Sequence, residues 1–90
     1  MWKRIFLVQM EIGERGRIIE IQGGARMSLR LENLGIRVGE EIKKISQQAM
    51  RGPAVVEAGK SQVAIGFGIA SRILVEVEEG KEINENSSNG

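Results

Sequence analysis

Hydrophobic positions along the chain fall mainly into short runs rich in Ile and Val, separated by glycine-containing segments. Runs of this length with turn residues between them are typical of a small all-β domain. The last run alternates cleanly, because Ile73, Val75 and Val77 share one face while Glu76 and Glu78 lie on the other. The pattern predicts five strands, over residues 17–22, 41–47, 54–58, 62–66 and 73–78.

Two of these predicted strands depart from strict alternation. Ile18 and Ile21 are three residues apart, and so are Ile42 and Ile45. Since side chains of an ideal strand alternate between its faces, each pair can share a face only across a bulge or a strong coil. We therefore expect both strands to be bent, as the strands of small barrels are.

One hydrophobic segment has helical spacing instead. Met27, Leu31 and Leu34 follow an i, i+4, i+7 pattern, and Gly35 then supplies a C-terminal stop. We predict one short α-helix over residues 25–34, after the first strand. A helix of about ten residues is marginal on its own, so this one must pack on the sheet.

Two glycine-containing segments are predicted to be turns. Gly59-Lys60 suits a two-residue hairpin with glycine at positive φ, which makes the third and fourth strands antiparallel neighbours. Residues 66–71 contain too much glycine for a long helix and predict a turn or one short 3₁₀ turn before the last strand. The predicted fold is mostly β: a small five-stranded, partly open barrel.

Both ends of the chain lie outside this pattern. The start imitates a signal peptide, but Gln9 and Glu11 interrupt its apolar run too early for a signal or a membrane span. We expect the first residues, including Trp2, to form an arm that covers one end of the barrel. Residues 80–90 hold one aliphatic side chain and cannot offset the entropy of ordering. We predict one domain over 1–79, with its core at 7–78, and a disordered acidic tail over 80–90.

Composition excludes most chemistry. The chain has no His, Cys, Tyr or Asp, so most acid, base and nucleophile roles lack a candidate, and we predict no enzyme and no catalytic residue. The absence of cysteine fits a cytoplasmic protein. A soft metal site from Met10, Met27 and Met50 is conceivable, but methionine in a small core more often fills gaps. No metal or cofactor site is predicted from the residues.

Charge is divided unevenly along the chain. Residues 1–75 carry twelve Lys or Arg against seven Glu, a net +5, whereas residues 76–90 carry one Lys against five Glu, a net −4. A basic barrel of this kind could bind nucleic acid through a strip formed by Lys43, Lys44, Arg51 and Lys60. Stacking residues for single strands are few, which disfavours nucleic acid as the partner.

The order of glycine and aliphatic residues resembles the ferrous iron transport protein A (FeoA) domain family over roughly residues 7–78. Val38 stands where proline is usual in that family. The matching parts are Leu7-x-x-Met10-x-x-Gly13-Glu14-x-Gly16-x-Ile18, Gly23-Gly24, Arg30-Leu31-x-x-Leu34-Gly35-Ile36-x-x-Gly39, Gly52-Pro53, Val63-Ala64-Ile65 and Ala70-x-x-Ile73-x-Val75.

This resemblance implies an SH3-like barrel in the cytoplasm. It implies an accessory role beside the membrane ferrous iron transporter that carries a GTPase domain, and weak binding of a transition metal such as ferrous iron. Similar domains end metal-dependent repressors of the diphtheria-toxin type, so a metal-sensing regulatory module is a second alternative beside nucleic-acid binding. This chain lacks the His ligands and the acidic ligands that those repressors use.

A partner surface can be placed on two loops. Exposed apolar residues beside arginine are what interface hot spots favour. The alternative is that Leu34 and Ile36 belong to the core and that the glycines only shape turns. The hypothesis assigns partner binding to the helix with its exit loop and to the loop before the third strand: Leu29, Leu34, Ile36 and Arg37, with Met50, Arg51, Gly52 and Pro53.

Overall fold

The computed structural model describes residues 1–79, so the prediction made for residues 80–90 lies outside the described residues. The strands are β1 (Trp2–Phe6), β2 (Arg15–Ile21), β3 (Glu41–Gln47), β4 (Ala54–Ala58), β5 (Ser61–Ile65) and β6 (Ile73–Glu78). The helices are a 3₁₀ turn (Leu7–Gln9), α1 (Gly24–Glu32) and α2 (Phe67–Ala70). The strands form one open antiparallel sheet in the order β1-β6-β2-β3-β4-β5.

The prediction of a mostly-β fold with one short helix is confirmed, but the sheet has a sixth strand. The segment expected to be an arm is β1, which pairs with β6 from Trp2 opposite Glu78 to Phe6 opposite Leu74. Trp2 does not cover an end of the barrel, because 63% of its surface is exposed. The prediction missed this strand because its partner lies about seventy residues further along the chain.

Several element boundaries also differ from the prediction. The strand predicted at 17–22 begins at Arg15 and ends at Ile21, and the helix predicted over 25–34 is Gly24–Glu32. The strand predicted at 62–66 is Ser61–Ile65, and residues 66–71 contain a short α-helical turn where a 3₁₀ turn was expected. In that turn the Ala70 N–H donates to the carbonyl of Gly66, an i→i−4 bond.

Both predicted bends are present as irregularities in strand register. The pairing of β2 with β6 shifts between Ile18 and Glu20, and the pairing of β3 with β4 shifts between Lys44 and Ser46. Ile18 and Ile42 are fully buried. In β2 the bulge accompanies Ile21 packing against the core near Ile18, whereas in β3 the residue buried with Ile42 is Lys44, and Ile45 is half-buried outside the core cluster.

The hydrophobic core is formed by side chains from the sheet, from α1 and from the connecting segments. Its fully buried members include side chains of β2, β3, β4 and β6, together with residues of the 3₁₀ turn and of the loop after α1. Burial of one such side chain contributes about 1.5–3 kcal/mol to folding. The largest apolar ones are Leu7, Ile18, Ile36, Ile42, Ile73, Val56, Val75 and Val77.

A buried lysine lies among these aliphatic side chains. Lys44, on β3, is 1% exposed. Its ammonium donates to the backbone carbonyl oxygens of Leu7 at 3.2 Å, Val8 at 3.2 Å and Met10 at 2.9 Å. Burial lowers the pKa of this amine below its usual 10.5, and the charge of Glu14 opposes that shift. The three bonds fix the 3₁₀ turn between β1 and β2 against the middle of the sheet.

The two hairpins next to β4 have different turns. In the turn between β4 and β5, Gly59 has a φ of +63°, as predicted for a two-residue hairpin. Lys60, the second residue of that turn, does not have a positive φ. Between β3 and β4, the Gly52 N–H donates to the Ala49 carbonyl, and the two residues inside that turn, Met50 and Arg51, have φ +58° and +61°. Positive φ at both central positions is the type I′ turn, which usually contains Asn-Gly.

We predict that Lys44→Met destabilises the domain. The carbonyls of Val8 and Met10 would lose the donor that the ammonium gives them, and an unsatisfied buried acceptor costs about 1–3 kcal/mol. We expect the free energy of unfolding in urea to fall by about 2–4 kcal/mol. The matched control is Lys43→Met, on the opposite face of β3, which should change stability by less than about 0.5 kcal/mol. Equal effects of the two variants would contradict this role of the ammonium.

The stability that Lys44 contributes should increase at alkaline pH. Because its pKa is lowered in the folded state, the unfolded chain holds this proton at pH values where the folded protein has released it. Stability then rises with pH between the folded pKa and 10.5. The difference in unfolding free energy between wild type and Lys44→Met should therefore be larger at about pH 10 than at pH 7. A smaller difference at pH 10 than at pH 7 would show that the hydrogen bonds to the carbonyls raise the pKa of Lys44 more than desolvation lowers it.

Replacing Met50-Arg51 with Asn-Gly should stabilise the domain. Positive φ costs an ordinary residue about 1–2 kcal/mol, whereas Asn and Gly adopt it readily. After the loss of the Arg51 side chain, we expect a gain of about 1 kcal/mol, seen as a higher melting temperature. The double variant to Ala-Ala keeps the unfavourable backbone and serves as control. A melting temperature that is unchanged or lower for Asn-Gly would disprove the strain.

Candidate partner-binding surface

Helix α1 and the loop after it present part of the predicted partner surface. Leu29 is 60% exposed and Leu34 is 48% exposed, so both apolar side chains are accessible. Arg37 is exposed, and its Nε lies 3.8 Å from Oε1 of Glu40. Ile36 is fully buried, which corrects its assignment to the surface. Its N–H donates to the carbonyl of Leu31, and this bond turns the chain so that the Ile36 side chain enters the core.

A shallow open groove of about 260 Å³ adjoins this loop. It lies between α1 and the segment before β3, and Val38 on its rim is 60% exposed. We call Leu29, Leu34, Arg37 and Val38 the exit-loop patch. Sequence reasoning treated Val38 only as a replacement for proline and missed it as a surface residue. The groove is lined by Ile21, Ser28, Glu32, Arg37 and Val38.

The second part of the predicted surface is the tip of the β3–β4 hairpin. Met50 is 99% exposed. The guanidinium of Arg51 lies 5.7 Å from the centre of the Phe67 ring, within the range of a cation–π contact. Gly52 and Pro53 are half-buried, and their backbone carbonyls accept hydrogen bonds. Nε2 of Gln47 donates to the Gly52 carbonyl at 2.8 Å, and the Gln48 N–H donates to the Pro53 carbonyl. The tip is thus a braced turn that projects one methionine.

The structure does not join the two parts into one patch. Arg37 precedes β3 and Met50 follows it, so the parts flank opposite ends of a strand whose seven residues extend about 20 Å. Within residues 1–79, no hydrogen bond or ion pair connects them. A partner would have to be large to cover both, or would use one of them.

The basic strip predicted for nucleic acid is not formed. Lys43, Arg51 and Lys60 keep some exposure, but Lys44 lies in the core with its ammonium bound to three carbonyls. That amine cannot reach a phosphate group. The prediction failed because two adjacent lysines were assigned to one surface, whereas neighbouring residues of a strand point to opposite faces.

The residues present do not fit a transition-metal centre. Residues 1–79 contain no group of three or more acidic, His or Cys side chains placed to hold a metal ion. Met10 is buried and Met50 is fully exposed, so these methionines cannot share a site with Met27. Among the contacts of residues 1–79, the carbonyls of Leu7, Val8 and Met10 do converge, but the lysine ammonium occupies their focus.

No helix within residues 1–79 is long and apolar enough to cross a membrane.

Comparison with known sequences gives matches that cover nearly all of the described residues. The sequence model of the FeoA domain matches residues 6–77, from the end of β1 to β6. A curated relative, "Putative Fe(2+) transport protein A" from Methanocaldococcus jannaschii, is 36% identical over 73 residues, which is 81% of this chain and 87% of the relative.

Comparison with solved structures gives the same family. The crystal structure of an iron uptake regulatory protein (FeoA) superposes with a TM-score of 0.75 and 30% identity, covering 81% of this chain and 96% of that one. The zinc complex of FeoA from Stenotrophomonas maltophilia, described as an SH3 domain protein, has a TM-score of 0.66 and 21% identity, covering 79% and 88% of the two chains. The solved structures share the fold, and the family model over residues 6–77 together with the 36% identical relative shows that this chain belongs to the FeoA domain family.

Proposed function

We propose that this chain is a small cytoplasmic accessory protein of ferrous iron uptake, and that it acts by binding the membrane iron transporter that carries a GTPase domain. The observation that carries the proposal is the family match over residues 6–77, because it includes nearly the whole sheet that builds the surface. A relative 36% identical over most of its length is named for Fe(2+) transport, which supports the same process.

Binding, and not chemistry, is what the described side chains support. Within residues 1–79, Lys44 is the group whose pKa is clearly shifted, and its amine is held by backbone carbonyls in the core. Shifted groups that serve catalysis lie in clefts where they reach a substrate. This amine has no such access, so its role is structural.

Iron enters the proposal as the cargo of the transporter. The resemblance implies weak metal binding by this family, but such binding here would rely on scattered glutamates, because the chain has no His, Cys or Asp. Exposed single carboxylates hold transition metals weakly compared with imidazole or thiolate sites. We therefore expect the domain to bind its partner in the absence of added metal.

The exit-loop patch and the hairpin tip are the two proposed contact regions. Each places exposed apolar side chains beside an arginine: Leu34 and Val38 near Arg37, and Met50 beside Arg51. Such pairs supply hydrophobic area and a directional charge, the combination common at interface hot spots.

The test is a binding titration of the domain against the cytoplasmic part of the cognate transporter, without metal. We expect binding by the full chain, and weakening of at least about tenfold by Arg37→Glu, by Met50→Asp, or by both. The control is Arg15→Glu, an exposed charge on β2 outside both regions. The 1–79 truncation, run alongside, shows whether the acidic segment contributes.

No binding by the folded wild-type domain would contradict the proposed function. Binding that is unchanged in both surface variants would leave the function standing and disprove the surface. Loss in Met50→Asp alone would place the partner at the hairpin tip.

A further inference from the structure

The sheet has two free edges, and they differ in how they are protected. Proteins usually prevent unwanted strand pairing at an edge with charges, proline or bulges. The β1 edge carries Lys3 and Arg4, and the N–H of Phe6 at its end is already bound by the Gln9 side chain. The β5 edge has none of these devices, since Ser61–Ile65 contains no charge and no proline and pairs with β4 without a register shift.

The turn before β5 determines which backbone groups face outward. In a two-residue hairpin the residues that flank the turn, here Ala58 and Ser61, form a hydrogen-bonded pair. Val63 and Ile65 follow the same alternation and also bond to β4. The N–H and C=O groups of Gln62 and Ala64 therefore point away from the sheet, and both residues are exposed. Two donors and two acceptors at strand spacing are open on this edge.

Basic side chains stand at both ends of this open edge. Lys60 immediately precedes β5 and is exposed. At the other end, Arg51 lies over Phe67, two residues beyond Ile65. An acidic residue, Glu57 on β4, lies opposite the middle of the edge strand, at Gln62, and opposite Lys43 on its other side. An incoming strand would therefore meet positive charge at each of its ends.

This charge pattern selects the occupant. A second copy of the domain, paired antiparallel about a two-fold axis, would bring Lys60 of each copy to the Arg51 end of the other, and like charges there oppose association. An extended segment with acidic residues near its ends would place opposite charges at both positions. The chemistry of the edge thus fits an acidic strand from a different protein.

We propose that β5 is a docking edge at which an extended, acidic segment of the transporter's cytoplasmic part pairs as a seventh strand. This inference rests on the proposed function and assigns a mode of binding to it. The main-chain groups of Gln62 and Ala64 provide the hydrogen bonds, and Lys60 and Arg51 set the position of the segment. Met50 is in the turn that leads into β4, and β4 begins opposite Ile65, so the turn is at the same end of the edge as Arg51.

The first test is Ala64→Pro, titrated against the cytoplasmic part of the cognate transporter. Proline removes one outward N–H and is tolerated on an edge strand because that N–H makes no bond within the sheet. We expect binding to weaken at least about tenfold while the melting temperature changes little. Two controls should bind like the wild type: Ala64→Ser, which keeps the N–H, and Arg4→Pro, which places proline on the other free edge.

The second test examines charge and backbone directly. Lys60→Glu should weaken binding severalfold and reduce its dependence on salt, because a screened attraction is lost. Hydrogen exchange of the wild-type complex should show new protection at the amides of Gln62 and Ala64, which a side-chain effect alone would not produce.

The outcomes separate this inference from the proposed function. If the wild-type domain does not bind the transporter fragment, both fall. If the wild type binds without protection of the two amides and the folded Ala64→Pro variant binds equally well, β5 is not the docking edge. The proposed function then stands. If the domain alone sediments as a dimer that Ala64→Pro converts to a monomer, the occupant is a second copy and the inference is overturned.

Discussion

The buried ammonium of Lys44 connects parts of the fold that the sheet alone would leave separate. Its three bonds reach the turn between β1 and β2, so they hold the first strand and its turn against the middle of the sheet. The backbone of the same residue also bonds to that connection, through the N–H of Gly13 and the carbonyl of Glu14. A charge in a core costs desolvation energy, and here hydrogen bonds to carbonyls, two of which would otherwise be unsatisfied, offset part of it. The hydrophobic residues around it can then close without leaving orphaned acceptors.

Local patterns in the sequence predicted the parts of the fold that depend on local geometry. The three-residue spacing of isoleucines predicted the irregularities found in β2 and β3, and Gly59-Lys60 predicted the hairpin between β4 and β5. Features set by distant contacts were missed. The sequence of the first strand predicted an arm, because its partner β6 is distant in the chain. Lys44 was predicted to be a surface residue because it is next to Lys43. The signal that could have placed Lys44 was its position two residues after Ile42, on the core side of the same strand.

The same distinction applies to the candidate surface. Exposure of Leu29, Met50 and Arg51 agrees with the sequence analysis, whereas Ile36 is buried by a backbone bond that no local pattern indicated. The positive φ of Met50 and Arg51 was also not predictable, because neither residue type favours it. This turn therefore combines an unfavourable backbone with a fully exposed methionine, and backbone strain of this kind clusters at binding sites.

The pairing of β1 with β6 also brings the two ends of the described chain together. The Glu79 N–H donates to the Met1 carbonyl at 2.6 Å, so both ends leave the domain at one corner of the sheet. Four strands separate β1 from β5 in the sheet order. A tag joined at Met1 would therefore leave from the side remote from β5 in strand order. The domain is suited to insertion into a longer chain, because an entry and an exit so close together would disturb its neighbours little.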